Sequence, residues 1–420
     1  MDSHLQKSPS QQVVSCLSRI YKMQLTTASG GNISIKDEHG NIWISPAGTD
    51  KSCLQIDDIV CVKADGSQQG RHPASSELCF HQAIYQARPD LKAVLHAHPD
   101  SLVAFSAVGK LPDVSLLTGK AAACGKLGFA DYAMTGSDLL GEKIAQGFAQ
   151  GADTLILENH GVVTAAEDLQ TAFNQFDALV HLAEAQVYAA HLQSTSDQEI
   201  VQLVDDNWLA SNESLPGTPT DQNLIEAICQ YIQRACHQQL FTATSGWVAV
   251  RAGEQIIFNK HSADRACAGP ADLYQVSLDD GVNTDSSGLQ RTLLQIFRQH
   301  PPINVIFFAQ PAHLMAFNIA GVPFNSRIIP EAYLFLRDVD CLYSIDSETI
   351  SNAVSPSQPV VMIKNQGILI TAGSLFQAFD RLEVAEFAAK AIIKAGKLGL
   401  IKQIDDTGIS QMIDKFKLPG

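Results

Sequence analysis

Apolar positions along this chain follow two periods. The stretches 92–97 and 154–157 are almost continuously apolar, the pattern of short strands covered on both faces. Between 168 and 191 the apolar residues Phe173, Phe176, Leu179, Val180 and Ala183 fall at helical spacing, which predicts an amphipathic helix. A similar helix is predicted over 376–394. Further helices are predicted over 11–24 and 76–87, and again over 224–238 and 289–299. Strands and helices alternate, and several strand pairs are hairpin-like. This predicts layered α/β domains with helices on both sides of a mixed sheet.

The order of elements repeats, and so do local sequences. Val94-Leu95-His96-Ala97-His98-Pro99 returns as Ile306-Phe307-Phe308-Ala309-Gln310-Pro311. Leu157-Glu158-Asn159-His160-Gly161 returns as Ile363-Lys364-Asn365-Gln366-Gly367. Thr27-Ala28-Ser29-Gly30-Gly31-Asn32 resembles Thr242-Ala243-Thr244-Ser245-Gly246-Trp247, and Ser75-Ser76-Glu77 resembles Ser286-Ser287-Gly288. A period of roughly 200 residues means a duplicated domain, not a solenoid. The segment 193–222 is rich in Ser, Thr, Asp, Asn, Gly and Pro. The expected organisation is therefore a domain over 1–200, a linker over 201–222 and a second domain over 223–420.

Composition narrows the function classes. The chain has 420 residues and a net charge of −15, which argues against nucleic acid or an anionic membrane as partner. A local pocket can still hold a small anion. No apolar run approaches the ~20 residues of a membrane span. The start of the chain is polar and carries no apolar signal segment, so no export is expected. The nine cysteines form no Cys-x-x-Cys pair, which fits reduced thiols in the cytoplasm. Cys79 and Cys124 fall near the candidate site and are expected to be small core residues.

The duplication itself marks the chemistry. His96 and His98 stand two apart on a strand, so alternation turns both imidazoles to one face. His160 ends a second strand at a turn closed by Gly161. In the second copy these positions are Phe308, Gln310 and Gln366, so the frame is kept while the ligand-type side chains are gone. Three imidazoles with one carboxylate suit zinc, and such sites also take Mn, Co or Fe. Glu77 is the candidate carboxylate. It follows Ser75-Ser76 at the start of a helix, where hydroxyls and free N–H groups can cradle an anion. An ordinary N-cap with an acidic first turn is the alternative. Gly30-Gly31-Asn32 can present further N–H groups to a phosphate. His81 and the remaining histidines are expected to be structural or exposed.

These residues, in this order, resemble the class II (zinc) aldolase/adducin family. The carrying motifs are Ser29-Gly30-Gly31-Asn32, Ser45-Pro46-Ala47-Gly48, Ser75-Ser76-Glu77, His96-Ala97-His98-Pro99, Tyr132-Ala133-Met134-Thr135-Gly136 and Asn159-His160-Gly161. The resemblance covers 11–192 well and 222–400 more faintly, and it is nearest to the fuculose-phosphate-type aldolases. It implies a three-layer α/β/α domain around a mostly antiparallel sheet. It implies zinc on His96, His98 and His160, with Glu77 as a fourth ligand or as the base. It implies an anion held at Gly31, Asn32, Gly48, Ser75 and Ser76. Tyr132 matches a tyrosine that donates a proton at a neighbouring subunit's site. Ala47 stands where these aldolases carry a threonine against the phosphate, which leaves room for a non-phosphorylated acid.

The expected activity is a metal-dependent lyase making or breaking a C–C bond in a ketose phosphate or hydroxy-keto acid. Epimerisation, decarboxylation or dehydration on a related substrate are the alternatives, as is a non-catalytic adducin-like scaffold. Two chains are expected to form a homodimer that rebuilds a ring of four domains.

Overall fold

The computed structural model describes residues 7–192, 205–209, 217–278 and 287–418. Half of the expected linker, and Ser286, lie outside the described residues. The chain divides into two compact units. Unit 1 comprises Met1–Asp113 and Ala121–Ala183, and unit 2 comprises Val114–Lys120 and Glu184–Gly420.

Unit 1 is built on an eight-stranded sheet. Its strands are β1 (Asn32–Lys36), β2 (Ile42–Ile44), β3 (Val60–Val62), β4 (Gln68–Gln69), β5 (Ala93–Ala97), β6 (Leu127–Ala130), β7 (Thr154–Leu157) and β8 (Gly161–Ala166). Their order is β4-β3-β2-β1-β5-β8-β7-β6. Every neighbouring pair is antiparallel except β6–β7. Strand β5 lies in the middle, buried along its whole length between β1 and β8. That is why its sequence is continuously apolar rather than alternating.

Helices α1 (Pro9–Lys22), α2 (Leu78–Ala87) and α3 (Asp100–Ala107) follow. Helix α1 begins with a capping box on Ser8 and Gln11 and buries Val13, Leu17 and Ile20. Helix α2 buries Phe80, His81, Ile84 and Tyr85. Phe80, Ile84 and Tyr85 join Val94, Leu140, Ile144, Phe148, Leu155 and Val163 in one apolar core.

Unit 2 repeats this plan with seven strands. They are β9 (Trp247–Ala252), β10 (Gln255–Asn259), β11 (Leu273–Ser277), β12 (Val305–Ala309), β13 (Asp340–Leu342), β14 (Val360–Ile363) and β15 (Gly367–Ala372). The order β11-β10-β9-β12-β15-β14-β13 is that of unit 1 without β4, and again the last pair alone is parallel. The tandem mixed α/β arrangement expected from the sequence is therefore present. Among the described residues no helix is long and apolar enough to cross a membrane.

The helix preceding the central strand sharpens the match between copies. Helix α2 ends with Arg88 N–H donating to the Ile84 carbonyl, and Gly288–Gln299 ends with His300 N–H donating to the Ile296 carbonyl. Pro89 and Pro301 follow, so the helices superpose from their C-terminal ends. On that footing the counterpart of Glu77 is Leu289, one residue on from the Gly288 that the serine pairs indicated.

Candidate metal centre

His96 is placed by the sheet. It pairs with Asn32 on β1 and Val163 on β8 and is fully buried. Its Nδ1 lies 2.9 Å from the Val162 carbonyl, which only accepts. The ring therefore donates from Nδ1 and keeps the Nε2 lone pair free, the second-shell arrangement that orients metal-binding imidazoles. His98 lies just beyond the end of β5, with Nε2 2.9 Å from His96 Nε2. His160 sits in the turn between β7 and β8. Asn159 before it has φ 53°. Gly161 after it leaves no room for a Cβ, which would meet the Ala97 carbonyl at 2.6 Å.

The carboxylate comes from α2. Glu77 precedes the first helical residue, and its side chain caps nothing. Instead Oε2 accepts from Asn32 Nδ2 at 2.7 Å and lies 3.4 Å from His96 Nε2, while Oε1 lies 3.5 Å from His160 Nε2. The helix was expected to begin at Ser76 and begins at Leu78, because Glu77 turns inward to this cluster.

The donor set fits a small divalent ion. Ligand atoms of the three histidines all lie within 4.8 Å of one another. A tetrahedral zinc site with bonds of ~2.0–2.1 Å has donors ~3.3 Å apart. The 2.9, 3.4 and 3.5 Å separations here bracket that value. Electrostatics agree. Burial, then the neighbouring His98 and His160, holds His96 well below the ordinary imidazole range. Burial, with His160 beside it, pushes His98 down to about 4. His160 is lowered by burial against the opposing pull of Glu77. These shifts favour neutral imidazoles, the state that metal binding requires.

The other expected residues are distributed as follows. Gly31 has φ 71°, and a Cβ there would meet the His96 carbonyl at 2.7 Å, so the turn into β1 needs glycine. The Pro46–Ala74 bridge lays the loop that carries Gly48 beside the segment leading to Ser75. Gly48 has φ 65° and open space around it. Ser75 is buried, its hydroxyl accepting from Glu77 N–H at 3.3 Å, whereas Ser76 is exposed. Asn32, Ser75 and Glu77 are thus brought together, with the Gly48 loop alongside Ser75. Tyr132 is not among them. The residue is 58% exposed, and Glu158 accepts from its backbone N–H at 2.7 Å. Cys124 is fully buried and Cys79 half-buried.

Lys51 went unnoticed in the sequence, and His81 was expected only to be structural or exposed. Lys51 is buried, with Nζ donating to the Pro46 carbonyl at 2.8 Å behind the Gly48 loop, and burial lowers its pKa. A single lysine in a polar turn carries no sequence signal. His81 is fully buried, with Nε2 2.6 Å from Asn32 Oδ1, and burial pushes its pKa down to about 3. Its place four residues after Glu77 was the available signal.

Among the described residues unit 2 has no such cluster at the equivalent place. Trp208 and Trp247 pack on Phe308, the counterpart of His96, at ring separations of 5.4 and 5.6 Å. Gln310 Nε2 donates to the carbonyls of Gln366 (2.7 Å) and Thr118 (3.1 Å). Asn365 Nδ2 donates to the Leu116 carbonyl at 2.7 Å, and Thr118 N–H returns to the Asn365 carbonyl at 2.8 Å. Leu116 and Thr118 lie in Val114–Lys120, a segment of this unit, so its backbone takes up the hydrogen-bonding groups of Gln310 and Asn365.

The family model for the class II aldolase and adducin N-terminal domain matches residues 11–187 and again 226–393. The chain belongs to the class II aldolase/adducin family. The family domain thus occurs twice, with the histidine cluster in the first copy. An L-fuculose phosphate aldolase of Methanococcus maripaludis is 34% identical over 166 residues, covering 39% of this chain and 88% of that protein. A 3-oxo-tetronate 4-phosphate decarboxylase of Haemophilus influenzae is 26% identical over 168 residues, covering 39% of this chain and 80% of that protein. A solved L-fuculose 1-phosphate aldolase covers 45% of this chain and 90% of its own, at 27% identity and a TM-score of 0.41.

Proposed function

We propose that unit 1 is a metal-dependent, aldolase-type lyase acting on a small anionic ketose phosphate or hydroxy-keto acid. The observation that carries this is the convergence of His96, His98 and His160, with the Glu77 carboxylate 3.4 and 3.5 Å from His96 and His160. His96, His98 and His160 hold the ion, zinc by preference, and Glu77 completes the set or leaves it to act. A bound divalent ion supplies Lewis-acid stabilisation of the enediolate charge that develops as the C–C bond breaks. Glu77, its Oε2 held by Asn32, takes or returns the proton at carbon. Asn32, Ser75, Ser76 and the backbone at Gly31 and Gly48 receive the anionic end of the substrate, with the buried Lys51 ammonium behind that loop. Tyr132 is assigned the proton on the departing aldehyde oxygen, from its motif.

A second reading rests on the decarboxylase relative. Decarboxylation generates the same kind of enolate and needs the same ligands. The test is product analysis of the zinc-loaded full chain on a panel of ketose phosphates and hydroxy-keto acids. Aldehyde release supports the lyase, carbon dioxide release supports the decarboxylase, and no turnover of any member overturns both.

We also infer a homodimer in which two chains form a ring of four family domains. The family resemblance and the tandem duplication support it.

A further inference from the structure

Helix α2 and strand β1 meet along a ladder of polar side chains. Glu77, His81 and Tyr85 recur every four residues, so they form one stripe on the helix. Asn32 and Ser34 are two apart and share a face of the strand. Four residues of helix advance ~6 Å, and two residues of strand ~6.6 Å, so one step along the strand keeps pace with one step along the helix. The contacts run without a break. Asn32 Nδ2 donates to Glu77 Oε2 at 2.7 Å. Asn32 Oδ1 lies 2.6 Å from His81 Nε2. His81 Nδ1 lies 2.7 Å from Ser34 Oγ. The Tyr85 hydroxyl closes the chain, 2.8 Å from Ser34 Oγ and 3.1 Å from the Ser34 carbonyl. Asn32, Ser34, His81 and Tyr85 are all buried.

One proton arrangement satisfies this ladder. An ionised carboxylate only accepts, so Asn32 must turn its NH₂ to Glu77 and its oxygen to His81. His81 must then donate from Nε2 and accept the Ser34 hydroxyl proton at Nδ1. With the opposite tautomer, Asn32 would flip and set its oxygen against the Glu77 carboxylate.

The second copy is an internal control. Superposed from the shared helix end, Glu77, His81 and Tyr85 become Leu289, Leu293 and Phe297, and Asn32 and Ser34 become Trp247 and Ala249. All five are buried in the unit 2 core. The same helix therefore packs on the same strand with an apolar stripe. The polar ladder is not needed for the fold, and it occurs in the copy that keeps the histidines. Resting on the role assigned to Glu77 above, we propose that His81, backed by Ser34 and Tyr85, is a positioning residue. It locks the Asn32 amide in one orientation and so pins Glu77 Oε2, leaving Oε1 directed toward His160.

The test borrows the second copy's solution. In the full-length chain, Ser34→Ala, His81→Leu and Tyr85→Phe are combined while Asn32 and Glu77 are kept. The triple variant is expected to fold with thermal stability close to the parent. Its affinity for Co(II) is expected to fall ~10–100-fold, the usual loss when a group orienting a ligand is removed, with a changed visible Co(II) spectrum. His81→Gln, whose amide can still donate to Asn32, is expected to recover most of the affinity. Parental Co(II) affinity and spectrum in the folded triple variant overturn the proposal, and so does its failure to fold. A parent chain that binds no Co(II) counts against the metal reading alone. Metal-free structures then decide the ladder: a displaced Asn32 amide and Glu77 carboxylate in the variant support it, and unmoved ones overturn it.

Discussion

Asn159 and Asn365 share one backbone conformation, with φ 53° and 58°, each one residue before the position held by His160 in unit 1 and Gln366 in unit 2. Gly161 and Gly367 follow, and a Cβ at either would meet a carbonyl of the central strand, at 2.6 and 2.5 Å. The turn belongs to the fold and has survived in both copies. The imidazole, to which the proposed metal site assigns a ligand role, is found in one.

This conformation makes Asn159 a sensitive position. Left-handed backbone costs most L-residues ~1–2 kcal/mol, and Asn less. Asn159→Val is expected to destabilise unit 1 by about that amount and to weaken metal binding by misdirecting His160. Asn159→Gly should stay within ~0.5 kcal/mol of the parent in stability. Denaturant unfolding and metal titration of both variants check this.

Gln310 and Gln366 show which side chains the frame tolerates. Replacing His98 and His160 together by Gln is expected to take metal content from one equivalent per chain to none while leaving the circular dichroism spectrum unchanged. The reverse exchange, His at 308, 310 and 366, is expected to create no site. Leu289 offers no carboxylate there, and the rings of Trp208 and Trp247 pack on position 308.

Much of this was legible in the sequence, for stated reasons. Strand Thr154–Leu157 matches its apolar run because a strand covered on both faces leaves no polar position inside it. The histidine pair was legible because alternation fixes which face a residue takes. The start of α2 was misplaced by two residues, since Ser-Ser-Glu has the composition of a cap and only the fold shows Glu77 turned inward. His81 was read only as structural or exposed, because its role depends on the match between a helix stripe and a strand face, which no local period reveals. The packing of Val114–Lys120 in unit 2 is likewise tertiary, and its sequence carries no sign of it.

Acid should weaken the metal-free protein. His81, His96, His98 and His160 all have lowered pKa values in the fold. Unfolded histidine titrates near ~6.5. Below that pH the unfolded chain takes up protons that the native state refuses, so stability falls as pH drops. The loss continues toward about 4, where His98 begins to protonate in the fold. Each histidine adds up to ~1.4 kcal/mol per pH unit within its window. Unfolding followed from pH 7 to 4.5 should show this slope, and bound zinc should flatten its upper part.

The proposed assembly predicts a particle of twice the 45.3 kDa chain mass in multi-angle light scattering. A monomer at micromolar concentration contradicts the ring of four domains, though not the metal site.

The most direct test of the account is anomalous diffraction from crystals of the full-length chain loaded with zinc. The expected result is one peak per chain, ~2 Å from a ring nitrogen of each of His96, His98 and His160, and none beside Gln310 and Gln366. No peak in unit 1, or an ion bound by other residues while those three rings stay empty, would contradict it.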